Sequence, residues 1–250
     1  MSRVHNRSAK PVRSCIGLAP ALHVKISLKR QLTAIDRLLV KEYGEPKPWE
    51  EDPLDSLIGT ILSQNTNDKN SDAAYDAMRK AFPAWEDVMN AAPAKLEAAL
   101  RPGGLAKTKS RRIQRILRAI AKRGKLSLQY LAGLSVEAAE KELLKFHGVG
   151  RKTARCVLLF ALHKDVFPID THIERVLKRL GLLPDDMPAE KAHTFIGPAI
   201  AAGRSLALHL NLIFHGRAIC HSRRPECPRC ILRGRCSHPR ICPLDNYDSL

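Results

Sequence analysis

The chain has 250 residues, with 42 Lys or Arg against 25 Asp or Glu and a formal charge of +17 at neutral pH. This length allows one large domain or two smaller domains that share a cleft. No run approaches the roughly 18 uncharged apolar residues of a membrane span, which predicts a soluble protein without a membrane partner. Such a positive field favours nucleic acid as the partner, although ribosomes or other acidic surfaces would fit the same charge.

The N-terminal segment is basic and irregular. Residues 1 to 35 carry seven Lys or Arg and no Asp or Glu. Weak periodicity favours a flexible basic arm over residues 1–27. An organelle-targeting peptide of similar composition is the alternative to a cytoplasmic, nucleoid-associated protein.

The middle of the chain has the pattern of successive helices. Residues 54 to 62 are apolar at helical spacing and run into the polar stretch "SQNTND", where Asn67 or Asp68 can cap the next helix. Helix-length apolar segments then alternate with short Gly, Pro or Asn turns as far as Leu183, and no strict alternation of period two interrupts them. The sequence therefore predicts an all-α protein.

One block, residues 101–125, contains ten Lys or Arg and no acid. A helix there would have one apolar face that packs and one cationic face that meets phosphate. The apolar face comprises Ile113, Ile116, Leu117 and Ile120, and the cationic face comprises Arg111, Arg115, Arg118 and Lys122. Leu105, in the Gly-rich turn before this helix, would either pack onto its own domain or act as a wedge between bases.

The segment "HGVGRKTA", residues 147–154, lies between two helix-length patterns. Gly148 and Gly150 end the first pattern, and the free N–H groups at the start of the second would form an anion site. A nucleotide-triphosphate loop is excluded, because the positions that need glycine are Phe146 and Arg151. The remaining interpretation is a hairpin that binds the backbone of a nucleic acid without recognising its base sequence.

Lys152 falls in the first turn of the second hairpin helix. The helix macrodipole and neighbouring Arg151 disfavour an ammonium there and favour a neutral, nucleophilic amine, although a single phosphate contact is the simpler alternative. Thr171 and Glu174 are predicted to form a capping box, which places Asp170 just outside the following helix. The Pro-bearing connection before it could bring this carboxylate near Lys152 across a cleft.

Four of the seven cysteines cluster in "CHSRRPECPRCILRGRC". The stretch has only one Cys-x-x-Cys pair, where a four-cysteine zinc site usually has two, and the odd total argues against a disulfide framework. The spacing alone leaves an iron–sulfur cluster and zinc as alternatives.

The stretches "HGVGRKTA" and "FPIDTHIERV" resemble the helix-hairpin-helix, Gly/Pro and aspartate signature of base-excision DNA glycosylases, and specifically of the endonuclease III family. The resemblance runs from about Leu54 to Cys236. It implies an all-α, two-domain helix-hairpin-helix DNA glycosylase fold. A six-helix barrel domain would span 46–164, with the hairpin at 136–163, and a [4Fe-4S] cluster domain would combine 28–45 with 165–250. The implied cluster ligands in the loop 220–236 are Cys220, Cys227, Cys230 and Cys236.

The resemblance also implies an activity. Lys152 would attack C1′ of a flipped nucleotide, and Asp170 would stabilise the developing positive sugar. A protein with this lysine would be a monomeric, bifunctional DNA glycosylase and abasic-site lyase that acts on damaged, chiefly oxidised, pyrimidines in double-stranded DNA. The rivals are a mismatch- or uracil-directed glycosylase on the same scaffold and a non-catalytic DNA-binding module.

The implied DNA contacts fall into four groups. The first is the hairpin, and the second is a wedge. The third is a filler of the vacated space, Asn65, with Gln64 as the neighbour that could replace it. The fourth comprises basic positions. The hairpin residues are Gly148, Gly150, Arg151 and Thr153. The wedge is Leu105, and the basic positions are Lys109 and Arg224. Two positions, Ala106 and His147, depart from the family pattern.

Overall fold

The structure is a computed structural model that describes residues 20–238, with side chains from residue 27 onward. The described part contains α-helices and short 3₁₀ turns and no strand. Residues 1–19 of the predicted arm lie outside the described range, and its last residues already belong to the first helix. The helices are α1 Pro20–Tyr43, α2 Pro53–Leu62, α3 Asp68–Ala81, α4 Trp85–Asn90, α5 Pro93–Leu100, α6 Ala106–Ala121, α7 Val136–Leu144, α8 Arg151–Phe160, α9 Thr171–Arg179, α10 Ala189–Ile196 and α11 Ser205–Ala218.

Local sequence accounts for several helix starts. Asp52 caps α2, since its carboxylate accepts from the N–H groups of Leu54 at 2.8 Å and Asp55 at 3.3 Å. Asn67 caps α3 by accepting from the N–H of Asn70 at 2.9 Å, which selects between the two predicted caps. The Asn67 cap fixes the C-terminal end of the segment 63–67, which connects α2 to α3.

The long cationic helix α6 packs as its pattern predicts. The four apolar residues of its predicted inner face are all at most 1% exposed. All four cations on the opposite face are exposed. Helix α6 therefore has one face in the core and an almost purely cationic face toward solvent.

The apolar residues form two separate cores. The first core, from α2 to α8, extends from Leu54 to Val166. The second core combines α1 with the helices after residue 166 and extends from Leu28 to Leu232. None of the described helices is long and apolar enough to cross a membrane.

Side chains of α8 and α11 meet where the two cores adjoin. Phe160 on α8 contacts His209 on α11 edge to face, with ring centroids 5.3 Å apart, and stacks on Trp49 at 5.5 Å. Arg217 on α11 pairs with Asp68 on α3, with Nη1 2.5 Å from Oδ2. These contacts join the first core to the second through α3, α8 and α11.

Candidate functional site

The hairpin between α7 and α8 leaves backbone groups open at the start of α8. Gly148 has φ +79, in the left-handed region that favours glycine. Gly150 is the N-cap of α8 and provides no side-chain oxygen to its first turn. A Cβ at Gly150 would meet nothing within 4 Å. The first N–H groups of α8 therefore remain available to an anion from outside.

The side chains of Arg151 and Thr153 face the protein. The Nε of Arg151 lies 3.3 Å from a carboxylate oxygen of Glu140 and 3.5 Å from one of Glu190. Thr153 is 4% exposed, and its hydroxyl accepts a hydrogen bond from Nε2 of Gln64 at 3.2 Å. Both residues are thus placed to contribute to the anion site through their backbone N–H groups.

Lys152 lies on the same face of α8 as Cys156 and Phe160, at successive intervals of four residues. Burial raises the pKa of Cys156 to about 11; the charge of Lys152 opposes this rise, and the charge of Asp170 adds to it. The same two charges act on buried His209, where burial lowers the pKa to about 4. The structure therefore brings Lys152 and Asp170 close to the same buried groups, at the junction of α8 and α11.

Asp170 is itself the N-cap of α9. Its Oδ1 accepts from the N–H of Ile173 at 2.8 Å, and the helix begins at Thr171. The predicted capping box, with the cap at Thr171, is therefore wrong by one residue, because the aspartate carboxylate accepts from the N–H of Ile173 and takes the cap position. This bond fixes the Asp170 side chain at the start of α9.

Two short loops carry exposed residues with left-handed backbone. In the segment 63–67, Asn65 is exposed and has φ 54. At the start of α6, Leu105 is 56% exposed and has φ 49. Gln64 is occupied inside the protein, since its Oε1 accepts from Arg112 and its Nε2 donates to Thr153. Of the two amide side chains, that of Asn65 is therefore the one that can extend outward from the protein surface.

Lys109, predicted as a DNA contact, is 3% exposed. Its ammonium donates to the carbonyl of Leu62 at 2.7 Å and to the carbonyl of Gly103 at 2.8 Å. Burial, helped by the charge of Arg112, lowers the pKa of Lys109. A direct contact between its ammonium and DNA does not agree with this burial, because both of these short bonds would have to break.

Arg112 is a residue that the sequence did not single out. Its Nη1 lies 2.5 Å from Oε1 of Gln64. It also passes so close to the hairpin that a Cβ at Gly148 would lie 2.3 Å from its Nε. Arg112 belonged to neither predicted face of α6. The sequence showed it only as one of the ten basic residues in the block 101–125.

The four cysteines of the C-terminal loop line one cavity, together with Arg179 and His238. The Nη1 of Arg179 donates to Sγ of Cys220 at 3.2 Å, and Nε2 of His215 lies 3.4 Å from Sγ of Cys230. Burial raises the pKa of Cys230 to about 11, and negative charge on the other three thiols would raise it further. Four thiolates in this cavity therefore call for a cationic group that compensates their charge.

An iron–sulfur cluster fits this arrangement. Within residues 20–238, no three His, Cys, Asp or Glu side chains form a group that could hold one metal ion. A [4Fe-4S] cluster distributes its thiolates over four iron atoms, so its ligands line a common cavity without converging on one point. Arg224, in the same loop, is exposed and has φ 51.

A cavity of about 600 Å³ lies beside α8, between α2, α3 and residues 49–52. Its walls include Trp49, Glu51, Asp55, Ser63 and Phe160. Burial raises the pKa of both Glu51 and Asp55. This cavity was not predicted from the sequence, because its acidic residues are scattered over 27 positions, from Glu50 to Asp76.

Comparison with known proteins identifies the family. Residues 58–196 match the model of the HhH-GPD superfamily base excision DNA repair proteins. A provisionally named DNA glycosylase of Arabidopsis thaliana is 38% identical over 80% of this chain and 68% of its own. Endonuclease III of Thermotoga maritima is 31% identical over 76% of this chain and 85% of its own.

A solved structure of a trapped covalent intermediate between endonuclease III and DNA has a TM-score of 0.73 to this chain. It is 27% identical and covers 85% of this chain and 97% of its own. The predicted all-α helix-hairpin-helix glycosylase fold is confirmed by this match and by the family model. The chain belongs to the HhH-GPD superfamily of base excision DNA repair proteins and is endonuclease III-like.

Proposed function

We propose that this protein excises damaged pyrimidines from duplex DNA and then cleaves the strand at the abasic site. The observation that carries the proposal is that the charges of Lys152 and Asp170 act on the same two buried groups, Cys156 and His209. Lys152 lies in the helix that starts at the open backbone of Gly150. A lysine beside a carboxylate, at a helix start that can hold phosphate, suits attack on a sugar whose flanking phosphate is bound there.

The chemistry follows from these two groups. The amine of Lys152 attacks C1′, the bond from C1′ to the base breaks, and the base leaves with the electron pair and takes up a proton. The carboxylate of Asp170 stabilises the positive charge that develops on the sugar. Opening of the sugar ring gives a protonated Schiff base. Loss of a C2′ proton then expels the 3′ phosphate by β-elimination.

DNA would be held by several surfaces around this site. The first-turn N–H groups of α8 would take one phosphate, and the cationic face of α6 and Arg224 would take others. Leu105 would enter the base stack as the wedge, and Asn65 would fill the vacated space. The cavity beside α8 would receive the extruded base, for which the stacked rings of Trp49 and Phe160 offer an aromatic surface.

We further propose that Cys220, Cys227, Cys230 and Cys236 hold a [4Fe-4S] cluster. When bound, the cluster would cross-link the loop 220–236 and neutralise its thiolates. Arg179 would support the loop, since its guanidinium donates to the carbonyls of His221 at 2.6 Å and Ser222 at 3.1 Å. This arrangement would present Arg224 to DNA.

Borohydride trapping tests the proposed function. The protein is incubated with duplex DNA that contains thymine glycol, or separately an abasic site, and the reductant converts a Schiff base into a stable crosslink. We expect a trapped complex with both DNAs. It should disappear in Lys152→Ala and persist in Lys95→Ala, which removes an exposed lysine from α5. Strong DNA binding without trapping on either DNA would refute the assignment of Lys152 as the nucleophile.

A further inference from the structure

The two loops proposed to enter DNA come from different helices. The filler loop, residues 63–67, follows α2, and the wedge loop, residues 101–105, precedes α6. Their exposed residues, Asn65 and Leu105, both have left-handed backbone. Extrusion of a base requires the wedge and the filler to act on the same base pair, so the separation between the two loops has to be held constant.

Lys109 joins the two loops directly. One of its N–H groups bonds to the carbonyl of Leu62, the last residue before the filler loop, and another bonds to the carbonyl of Gly103 within the wedge loop. The carbonyl of Leu62 lies at the C-terminal end of α2, where a cation is electrostatically favoured. Burial of a charge is costly, which is why a buried ammonium is retained only with short bonds of this kind. The wedge loop is also packed tightly, since a Cβ at Gly103 would lie 2.9 Å from Cβ of Ala74.

Arg112 extends the connection to the hairpin. It lies three residues after Lys109 on α6, donates to Gln64 in the filler loop, and contacts Gly148. Gln64 in turn donates to Thr153, the residue after the proposed nucleophile. Two sets of hydrogen bonds, joined by the backbone from Leu62 to Gln64, therefore connect the wedge loop through the filler loop to the first turn of α8.

We infer that Lys109 and Arg112 are positioning residues that hold the wedge loop, the filler loop and the hairpin as one unit, so that an extruded nucleotide reaches Lys152 in register. The inference rests on the proposed function and deepens it. Lys109 acts from inside the protein and touches no DNA. Its removal lets the two loops move independently, and the reaction loses its alignment at the extrusion step.

The test compares two DNAs that differ in the need for extrusion. One is a fully paired duplex with thymine glycol, and the other has the same lesion in a three-nucleotide bubble, where the base is already unpaired. Single-turnover excision is measured for the wild type, Lys109→Met and Arg112→Met. Lys164→Met is the matched control, since Lys164 also donates to two backbone carbonyls, at 3.2 and 2.7 Å, away from these loops.

We expect Lys109→Met to slow excision from the paired duplex by about 10- to 100-fold, the range for a misplacement of about 1 Å, and to remain within about twofold of wild type on the bubble. Arg112→Met, at a half-buried position that tolerates substitution better, should show the same selective loss. Equal losses on both DNAs, or no loss on the duplex, would overturn the inference. Failure of the wild type on both DNAs would instead contradict the proposed function.

Discussion

Replacement of Gly148 by alanine should weaken both the hairpin and its connection to α6. A residue with a Cβ at φ +79 costs about 1–2 kcal/mol. The new Cβ would also displace Arg112, whose Nε would lie 2.3 Å away. Loss of its charged, half-buried hydrogen bond to Gln64 adds about 1 kcal/mol. A total of about 2–3 kcal/mol corresponds to a melting temperature lower by about 4–12 °C in a chain of this size, measured by differential scanning calorimetry.

Gly150 is the matched control for this substitution. Its φ is −91, and a Cβ there meets nothing within 4 Å, so Gly150→Ala should cost less than about 1 kcal/mol of stability. On the proposed function, the added methyl group lies where a phosphate approaches, so DNA affinity by fluorescence anisotropy should fall without much change in melting temperature. Equal melting temperatures for Gly148→Ala and the wild type would refute the strain and displacement argument.

Two further predictions concern the junction of α8, α9 and α11. Asp170→Asn retains a good N-cap for α9, so it should change the free energy of unfolding by less than about 1 kcal/mol. Loss of the negative charge should nevertheless slow single-turnover excision by about 10²- to 10³-fold. Equal excision rates for the variant and the wild type would show that Asp170 takes no part in the chemistry. His209 has a folded pKa of about 4, below its ordinary 6.5, so the unfolded chain binds the proton more readily and stability falls as the pH drops through this window. Between pH 7 and pH 4.5 this effect should lower the free energy of unfolding by about 2–3 kcal/mol in the wild type, and urea unfolding should show that His209→Phe removes that decrease. An unchanged pH dependence in His209→Phe would contradict the lowering of the His209 pKa by burial.

Local patterns predicted much of the fold. The period of α6 identified its buried face, because the burial of one helix stripe depends only on spacing along the chain. The pair of hairpin glycines was recognisable for a similar reason, since Gly148 has a backbone conformation that other residues adopt at a cost. The cap of α9 was missed by one residue, because Asp170 and Thr171 are both good caps and the local sequence does not choose between them.

The roles of single cations could not be predicted in the same way. Lys109 is buried because α2 ends beside it and presents an unpaired carbonyl, a fact of tertiary structure. Arg112 and Gln64 pair for the same kind of reason, across 48 positions of the chain. The choice of Asn65 over Gln64 as the free amide follows only when the inward bonds of Gln64 are known.

The distribution of charge separates the two tasks of the proposed site. Although the chain carries +17, seven of its 25 acidic residues line the cavity beside α8, whereas α6 has an almost purely cationic outer face. Carboxylates repel phosphates, so the backbone of bound DNA is directed to the hairpin and α6 rather than into the cavity. An uncharged base does not meet this barrier. On the proposed function, the cavity therefore favours entry of the base alone and leaves its charged sugar–phosphate outside, on the side of α8 whose Phe160 lines the cavity.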